Sequence, residues 1–294
     1  MGYKLFLLLE KTLMFLPKSF RKSFFLFLAN IAYIVSASSR KTVKQNLQFA
    51  FDNTLDEKEI KEITKYSFKN LLLNFLHLME IRHMSLEEIQ KKVTIQNLEA
   101  VQKVHTEGRS VIYVTTHYSS WELGGASISA LIEPLGAVYK KMKNKDYQSW
   151  VLESRSKFGN INLEKTNVIK PLIKLIRQKT ACGILIDTNI KKKDGLEIIF
   201  MGKTLRQTST PAYLARKFDA AIIPVAMRTD DEDNFTLMLF DEIVVEKTED
   251  EKADILKATQ LQADWLCELI REEPKFWFWL HRRFKGDHPE IYKS

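Results

Sequence analysis

The pattern of apolar and polar positions divides the chain into two unlike regions. From residue 41 to residue 104 apolar residues recur at intervals of three and four, as in LDEKEIKEITKYSFKNLLLNFLHLMEI, which predicts a mostly helical region without strands. From Ser110 onward, short runs rich in β-branched residues alternate with helix-like stretches. Strands separated by helices predict a largely parallel sheet that is covered on both faces. We therefore expect an α/β fold, an αβα sandwich with a central, mostly parallel sheet.

The second region contains recognisable strand and helix candidates. The strand candidates are SVIYVTT, GAVYKKM, CGILID, LEIIFMG, AIIPVAM and FTLMLFDEIVV. The helix candidates fall near residues 145–158, 167–179, 209–218 and 252–271. The sequence has neither an internal repeat nor a Gly/Ser-rich linker, so we expect residues 41–294 to form a single domain.

Two apolar runs, residues 5–16 and 24–37, occupy the first forty positions and have lysines and arginines around them. A helix as long as the second run spans about 21 Å, which is short of the roughly 30 Å hydrocarbon core of a bilayer. Basic flanks on both sides of this run favour a helix that lies against anionic headgroups. We expect residues 1–40 to be membrane-associating helices that precede the domain. A signal peptide and a pair of buried core helices are the alternatives.

The charge balance narrows the kinds of partner. The 294 residues include 45 Lys and Arg against 37 Asp and Glu, a net charge of +8, which favours an anionic partner: nucleic acid, an acidic carrier protein or an anionic lipid surface. The sequence shows no helix-turn-helix, zinc-finger or RNA-recognition pattern, so nucleic acid is not expected. The two cysteines, Cys182 and Cys267, have no metal-ligand spacing, and we expect free thiols.

The stretch THYSSWELGG marks the passage from a strand to a helix. Side chains five positions apart point to different sides of a continuous helix or strand. His117 and Glu122 approach each other only if the strand ends at His117, a serine caps the following helix, and Glu122 lies in its first turn. Open α/β sheets bind their ligands at this edge. The spacing therefore predicts a dyad in which Glu122 orients the imidazole and His117 acts as a general base.

Three other interpretations of this dyad stay open. His117 can be a core histidine beside a helix-terminal glutamate, or both residues can be ligands of a metal-dependent hydrolase, which needs a third ligand that no motif supplies. The chain can also be a non-catalytic membrane or nucleic-acid adaptor, which leaves the dyad unexplained. No G-x-S-x-G pattern is present, so we expect direct attack by a substrate hydroxyl, without a metal or another cofactor.

Several ordered pieces of the sequence match one family. They are RKTVKQNLQFAF, THYSSWE, Arg155 in LESRSKFG, GILID ending at Asp187, EIIFMGK and FWFWLHRRFK. Together these pieces resemble the late-acting lipid A acyltransferases, a branch of the glycerolipid acyltransferase superfamily, over residues 40–285. The family signatures T-H-x-x-x-W-E and W-x-W-x-H-R-[WF]-K are the most specific. The chain departs from the family at Ser119-Ser120, where Gly-Asn is usual, and at Asp187-Thr188, where Asp-Gln is usual.

The resemblance implies an αβα sandwich on the cytoplasmic face of the inner membrane. It implies transfer of a fatty acyl group from an acyl carrier protein thioester to a hydroxyl of a lipid A precursor; another glycolipid or phospholipid acceptor is the alternative. His117 would deprotonate the hydroxyl and Glu122 would orient His117. Arg155 would hold developing negative charge or a substrate phosphate, unless it is a solvated helix arginine.

Two further groups of residues are candidates for substrate binding. Asp187, at the end of an apolar strand, would position the acceptor or Arg155, unless it only begins a loop. Arg282 and Arg283 would bind lipid phosphates, with two tryptophans, Trp277 and Trp279, at the membrane interface. The alternative is a solvated basic tail whose tryptophans pack inward.

Overall fold

The computed structural model describes residues 2–293, which form eleven α-helices and nine β-strands. The helices are α1 Gly2–Phe15, α2 Lys18–Val35, α3 Ala37–Ala50, α4 Glu57–His83, α5 Leu86–Lys92, α6 Leu98–Thr106, α7 Trp121–Leu131, α8 Lys145–Arg155, α9 Ile169–Arg177, α10 Thr210–Phe218 and α11 Glu251–Glu272. The strands are β1 Val93–Gln96, β2 Val111–Thr115, β3 Leu135–Tyr139, β4 Ile161–Glu164, β5 Ala181–Leu185, β6 Leu196–Phe200, β7 Lys203–Gln207, β8 Ala221–Arg228 and β9 Phe235–Leu239. One short 3₁₀ helix lies between β5 and β6, and three lie after α11; their ranges are Lys192–Asp194, Pro274–Phe276, Arg283–Gly286 and Pro289–Tyr292.

The central sheet has seven strands in the order β1-β9-β8-β2-β5-β3-β4. Every neighbouring pair is parallel except β8 and β9, which run antiparallel. This arrangement confirms the expected α/β fold with a mostly parallel sheet. The strand β2 lies between β5 and β8, well inside the sheet, so the segment that follows it emerges among several strand ends.

Three strands were not predicted from the sequence. The strand β1 interrupts the region expected to be mostly helical and without strands, and β4 and β7 lie in stretches without a strong apolar pattern. The predicted strand LEIIFMG forms as β6, but it pairs only with β7 in a separate antiparallel hairpin and does not join the central sheet. The two missed strands of the central sheet are its edges, where one side of the strand is unpaired and a long apolar run is not needed.

Each face of the sheet has its own hydrophobic core. Along β2, Ile112 and Val114 belong to one core, whereas Val111 and Tyr113 belong to the other, because successive side chains of a strand point to opposite faces. The first core includes residues of α9, α10, α11 and the aromatic segment 276–279. The second includes residues of α6 and α7. Helices therefore cover both faces of the sheet.

The two N-terminal helices pack on the rest of the chain through α4. Leu13 of α1 and Phe25 of α2 share a third core with Leu76 of α4. Arg21 of α2 forms a buried ion pair with Glu80 of α4 at 3.0 Å. In residues 2–293 no single helix has the length and apolar composition of a membrane span; α2 and α3 meet that description only when taken together, and they are bent by 85° at their junction.

Candidate active site

The segment between β2 and α7 has the predicted order of strand, turn and helix, although the strand ends two residues before His117 and Ser120 makes no side-chain capping hydrogen bond. The strand β2 ends at Thr115, α7 begins at Trp121 with Ser120 in the N-cap position, and Glu122 lies in the first helical turn. Ser119 adopts a positive φ of 47°, which allows the chain to reverse over few residues. The turn leaves the carboxyl end of β2 next to the carboxyl end of the parallel strand β5, and Asp187 follows two residues after β5.

His117 is held by Asp187. The imidazole Nδ1 lies 2.9 Å from Asp187 Oδ1, and the backbone N–H of His117 donates to Asp187 Oδ2 at 2.7 Å. The Oδ2 atom also accepts hydrogen bonds from Thr116 Oγ1 at 2.7 Å and Trp277 Nε1 at 3.1 Å. An ionised carboxylate only accepts, so Nδ1 carries the proton in this pair. In the neutral ring the lone pair is then on Nε2, which is the atom able to take a proton from a substrate.

The electrostatics of the pair favour a more basic imidazole. Burial disfavours the charged form of His117, but the Asp187 carboxylate outweighs it, and Glu122 adds to the effect, so the pKa of His117 is raised above its ordinary value. Burial alone would raise the pKa of Asp187, yet the charge and hydrogen bonds of His117 and the Thr116 hydroxyl hold that pKa well below its usual range. The aspartate is therefore ionised at neutral pH, with only 3% of its side chain exposed.

Glu122 has a different partner from the one expected. It was predicted to orient His117, but the imidazole Nδ1–H donates to Asp187, and Glu122 instead forms a two-point ion pair with Arg155. Arg155 Nη2 lies 2.6 Å from Glu122 Oε1 and Nε lies 3.0 Å from Oε2. A planar guanidinium matches a carboxylate in this way, whereas a single imidazole N–H cannot. The pair lowers the pKa of Glu122 against the opposing effect of burial and raises that of Arg155.

The turn that carries His117 is fixed from two sides. On one side, the C-terminal segment pairs with it: the backbone N–H of Phe278 donates to the His117 carbonyl and that of Ser119 donates to the Phe276 carbonyl, each at 2.9 Å. On the other side, Asn74 of α4 donates from Nδ2 to the Ser119 carbonyl at 2.8 Å and accepts from the backbone N–H of Glu122 at 3.4 Å. The imidazole is thus held by backbone contacts as well as by Asp187.

The C-terminal aromatic and basic residues lie mostly inside the protein. Trp277 and Trp279 are 2% and 0% exposed, which fits the alternative in which the tryptophans pack inward and not a position at a membrane interface. Arg283 is also buried, and its Nη1 donates to the carbonyls of Thr188 and Arg206 at 2.7 and 2.9 Å. This location does not fit the predicted contact with a lipid phosphate, because the guanidinium is buried and its Nη1 is engaged by main-chain oxygens. Arg282 is exposed, and its Nε lies 3.4 Å from Thr42 Oγ1.

An apolar cavity opens beside His117. Its empty volume is about 920 Å³, including the open space at its mouth. His117, Trp121, Glu122 and Arg155 contribute to its lining, and so do residues on α7 and on five strands of the sheet, β2, β3, β5, β8 and β9. Those residues are almost all apolar or small: Gly124, Gly125, Ala126, Ile128, Leu135, Ala137, Gly183, Leu185, Val225, Met227 and Leu237. The arrangement suits a ligand with a reactive polar end near His117 and an aliphatic body between α7 and the sheet.

The hydrogen bonds of His117 and Glu122 do not favour the interpretation of these residues as metal ligands. Nδ1 of His117 is engaged by Asp187, and both oxygens of Glu122 are engaged by a guanidinium, whose positive charge opposes a bound cation. Among the side chains of residues 2–293, His, Cys, Asp and Glu form no cluster of three or more with a spacing suited to a metal ion.

Three supporting residues were not recognised as part of the site from the sequence. Thr116 and Trp277 lie in motifs that were noticed, but their hydrogen bonds to Asp187 depend on strands and segments that meet only in the fold. Asn74 lies in the middle of a long helix, and its spacing gives no signal that it faces a turn 45 residues later.

These features define a class of protein: an α/β fold with a histidine, oriented by a buried aspartate, at the mouth of an apolar cavity. The chain belongs to the bacterial lipid A biosynthesis acyltransferase family, whose model matches residues 2–286. It is therefore an acyltransferase, as the sequence resemblance predicts.

Individual relatives agree with this assignment. The chain is 22% identical over 248 residues, 82% of its length, to the lipid A biosynthesis palmitoleoyltransferase of Escherichia coli (strain K12), of which the match covers 77%. It is 28% identical over 166 residues, 55% of its length, to lipid A biosynthesis acyltransferase 2 of Shigella flexneri, with 51% of that protein covered. It is also 21% identical over 183 residues, 61% of its length and 58% of the relative, to the phosphatidylinositol mannoside acyltransferase of Mycolicibacterium smegmatis (strain ATCC 700084 / mc(2)155).

Proposed function

We propose that the protein transfers a fatty acyl group from an acyl carrier protein thioester to a hydroxyl of a lipid A precursor, with His117 as the general base. The observation that carries the proposal is the position of His117: Nδ1 is bound to the ionised Asp187, and the ring lines the mouth of the apolar cavity. A base in that position meets the polar end of a ligand whose aliphatic part fills the cavity.

The reaction follows from this geometry. Nε2 of His117 accepts the proton of the acceptor hydroxyl while the oxygen attacks the thioester carbonyl. A C–O bond forms, the C–S bond breaks, and the departing thiolate receives the proton from the imidazolium. Asp187 stabilises the imidazolium that exists between these two proton transfers, since its carboxylate stays ionised.

Arg155 and Glu122 supply the second part of the site in this proposal. The ion pair uses Nε and Nη2 of Arg155, so Nη1 is the nitrogen that approaches a substrate oxygen. A fixed positive charge beside the reacting carbonyl stabilises the negative charge that develops on its oxygen. Glu122 thus acts through Arg155, which it holds in place, and adds a smaller electrostatic contribution at His117.

Lysines surround the carboxyl edge of the sheet near the site. The strands β3 and β5 are parallel neighbours, so the segments that follow them leave the same edge as the His117 turn. The first segment contains the exposed Lys140, Lys141 and Lys143, and the second contains the exposed lysines at residues 191–193. A positive rim of this kind attracts an anionic partner by electrostatic steering, which supports an acidic carrier protein as the donor and phosphate groups on the acceptor. Arg282 is exposed and lies a few residues after the buried tryptophans in the sequence. It is a further candidate for a phosphate contact.

We further propose a location on the cytoplasmic face of the inner membrane, and the N-terminal helices support the membrane-binding part of this proposal. Although α1 and α2 pack on α4, many of their large apolar side chains stay exposed. These are Leu5, Leu8, Leu9, Phe15, Phe20, Phe27, Ile31, Ile34 and Val35. An exposed apolar surface with lysines and arginines nearby binds anionic lipid, which brings the enzyme to a lipid acceptor.

A second acceptor class is favoured by one observation, the similarity to a protein named for phosphatidylinositol mannoside acylation. The same site geometry would serve a hydroxyl of another glycolipid or a phospholipid, because the base and the cavity recognise the hydroxyl and the acyl chain but not the rest of the acceptor. The acceptor therefore has to be one of the variables of the experiment.

The proposal is tested by an acyl-transfer assay with two donors and two acceptors. We expect wild-type protein to acylate a lipid A precursor from the carrier-protein thioester, with a rate that falls as salt increases, and to use a coenzyme A thioester poorly. His117→Ala should lose about 10²- to 10⁴-fold in turnover, because a positioned general base is removed. Exposed His105 provides the matched control, His105→Ala, which should keep wild-type turnover.

Three results would contradict the proposal. Near wild-type turnover of a folded His117→Ala protein would show that His117 is not the base. Equal use of both donors at every salt concentration would exclude a specific carrier-protein donor. Acylation of a phosphatidylinositol mannoside or a phospholipid, with no acylation of the lipid A precursor, would assign the second acceptor class.

A further inference from the structure

Two adjacent glycines, Gly124 and Gly125, lie in the interior of α7, where it lines the cavity. A glycine inside a helix is unfavourable by about 1 kcal/mol relative to alanine, so each of them calls for a physical reason. The reasons can be separated by asking what a methyl group at each position would meet.

Gly124 is explained by packing. A Cβ at this position would lie 2.8 Å from Cγ of Met227 on β8, too close for real atoms, so the absence of a side chain lets α7 approach the sheet. Gly183 on β5, another lining residue, is explained in the same way, because its Cβ would lie 2.9 Å from Cδ1 of Leu135.

Gly125 has no such explanation. Apart from its chain neighbours and the backbone of its own helix, a Cβ at this position would meet no atom of residues 2–293 within 4 Å, and the φ of Gly125 is not in the left-handed region. Gly125 is one of the residues that line the cavity, so this open space borders the cavity. The helix is also fixed at this point, since the Gly125 carbonyl accepts a hydrogen bond from Asn160 Nδ2 at 3.3 Å. Of the three glycines that line the cavity, Gly125 is thus the one that packing does not require.

The position of Gly125 along α7 matters for an acyl chain. It lies four residues after Trp121, which is beside His117, and three residues before Ile128. Residues four apart lie on the same side of a helix, about one turn or 5 Å apart along its axis. A side chain at Gly125 would therefore enter the cavity between the mouth and the part lined by Ile128 and Leu135.

We propose that Gly125 is a specificity-determining residue that keeps the deeper part of the cavity open, so that the size of the residue at this position sets the longest acyl chain the enzyme accepts. The inference rests on the proposed function and adds the position that controls chain length. Each methylene of the acyl chain that can no longer be buried in the cavity should lower kcat/KM for that donor about fourfold, which corresponds to the free energy of burying one methylene.

The test compares wild type, Gly125→Ala and Gly125→Met, with Ala130→Met as the matched control on the same helix outside the cavity lining. Acyl-carrier thioesters of increasing saturated chain length are the donors, and kcat/KM is measured for each. Gly125→Met should lose the longest chains and keep the shorter ones, Gly125→Ala should show a smaller shift, and Ala130→Met should keep the wild-type profile. Gly125→Ala should also melt at or above the wild-type temperature, since a helical glycine is replaced without a clash.

A second readout separates this inference from the proposed function. The affinity of each variant for free saturated fatty acids of the same lengths is measured by the shift in melting temperature that they cause. If wild type transfers no acyl group, but the longest fatty acid that Gly125→Met binds is shorter than the longest one that wild type binds, the proposed function fails and the inference stands. If Gly125→Met changes kcat/KM equally for all chain lengths, or changes neither readout, the inference is overturned.

Discussion

At the residue scale, two carboxylates near His117 have separate tasks. Asp187 is buried and bound to Nδ1, whereas Glu122 is bound to Arg155. Because the Asp187 carboxylate has a larger effect on the imidazole than Glu122 does, the two residues should affect the pH dependence of the reaction differently.

We predict that Asp187→Asn moves the acidic limb of the kcat/KM profile to lower pH and lowers turnover by about 10²- to 10⁴-fold, because the ring loses both its orientation and its counter-charge. The sign follows from the raised pKa of His117: the neutral base is complete above that pKa and is lost as pH falls through it. Without the aspartate, burial dominates and lowers the pKa. The measurement is kcat/KM against pH.

Glu122→Gln provides the comparison. It should lower turnover, since Arg155 loses its charged partner, but it should move the acidic limb much less than Asp187→Asn does. If Glu122→Gln moved the limb as far as Asp187→Asn, Glu122 would be the residue that sets the basicity of His117, as the sequence predicts.

At the scale of elements, the turn that carries His117 is held by three parts of the chain that are distant in sequence. The turn follows β2, the segment 276–279 pairs with it through backbone hydrogen bonds, and α4 reaches it through Asn74. Asn74 is buried, and it contacts the chain on both sides of Trp121, at Ser119 and at Glu122. It is therefore a positioning residue for the start of α7.

We predict that Asn74→Leu lowers kcat by about tenfold or more and lowers the free energy of unfolding by about 1–3 kcal/mol, because the Ser119 carbonyl is left without its side-chain donor. The control is Thr64→Val on the same helix, whose buried hydroxyl donates only to Ile60 of its own helix. It should lower stability to a similar or smaller extent and leave kcat unchanged. Equal kcat for Asn74→Leu and Thr64→Val would remove Asn74 from the site.

At the scale of the whole molecule, the N-terminal helices have one side buried in the protein and another side exposed to its surroundings. One side of α1 and α2 is buried against α4, with Phe25 in the shared core and Arg21 paired with Glu80. The other side exposes large apolar residues, among them Phe15 at 92% and Phe27 at 60%. Removing both helices would therefore uncover a core and break a buried ion pair, which costs stability whether or not the helices bind lipid. Substitutions on the exposed side are the cleaner test.

We predict that Phe15→Ser combined with Phe27→Ser lowers binding to vesicles of anionic phospholipid at least tenfold, because each substitution removes an aromatic ring from the exposed apolar surface of α1 and α2. The melting temperature should stay close to that of wild type. The control is Ile199→Ser combined with Val244→Ser, which removes exposed apolar groups elsewhere and should not change vesicle binding. Unchanged sedimentation of the Phe15/Phe27 variant with vesicles would assign membrane binding to another surface.

The sequence by itself determined the fold class and the address of the site. Alternating strand and helix patterns after Ser110 predicted the mostly parallel sheet, because the two periodicities are local properties of the chain. The spacing of His117 and Glu122 predicted a strand, a turn and a helix in that order, and the structure has them there. The family resemblance was also present in the sequence, as short motifs in a fixed order.

Only the tertiary structure decided which groups meet. Asp187 reaches His117 because β2 and β5 are neighbours, and strand order is not encoded in the local pattern of either strand. Trp277 and Asn74 reach the site from segments 90 residues after Asp187 and 45 residues before Ser119. The cavity is lined by α7 and five strands together, and the reason for Gly125 is visible only when the empty space beside it is seen. Local periodicity fixes elements, but contacts between distant elements depend on how whole faces pack, and that packing placed Asp187, not Glu122, on the imidazole.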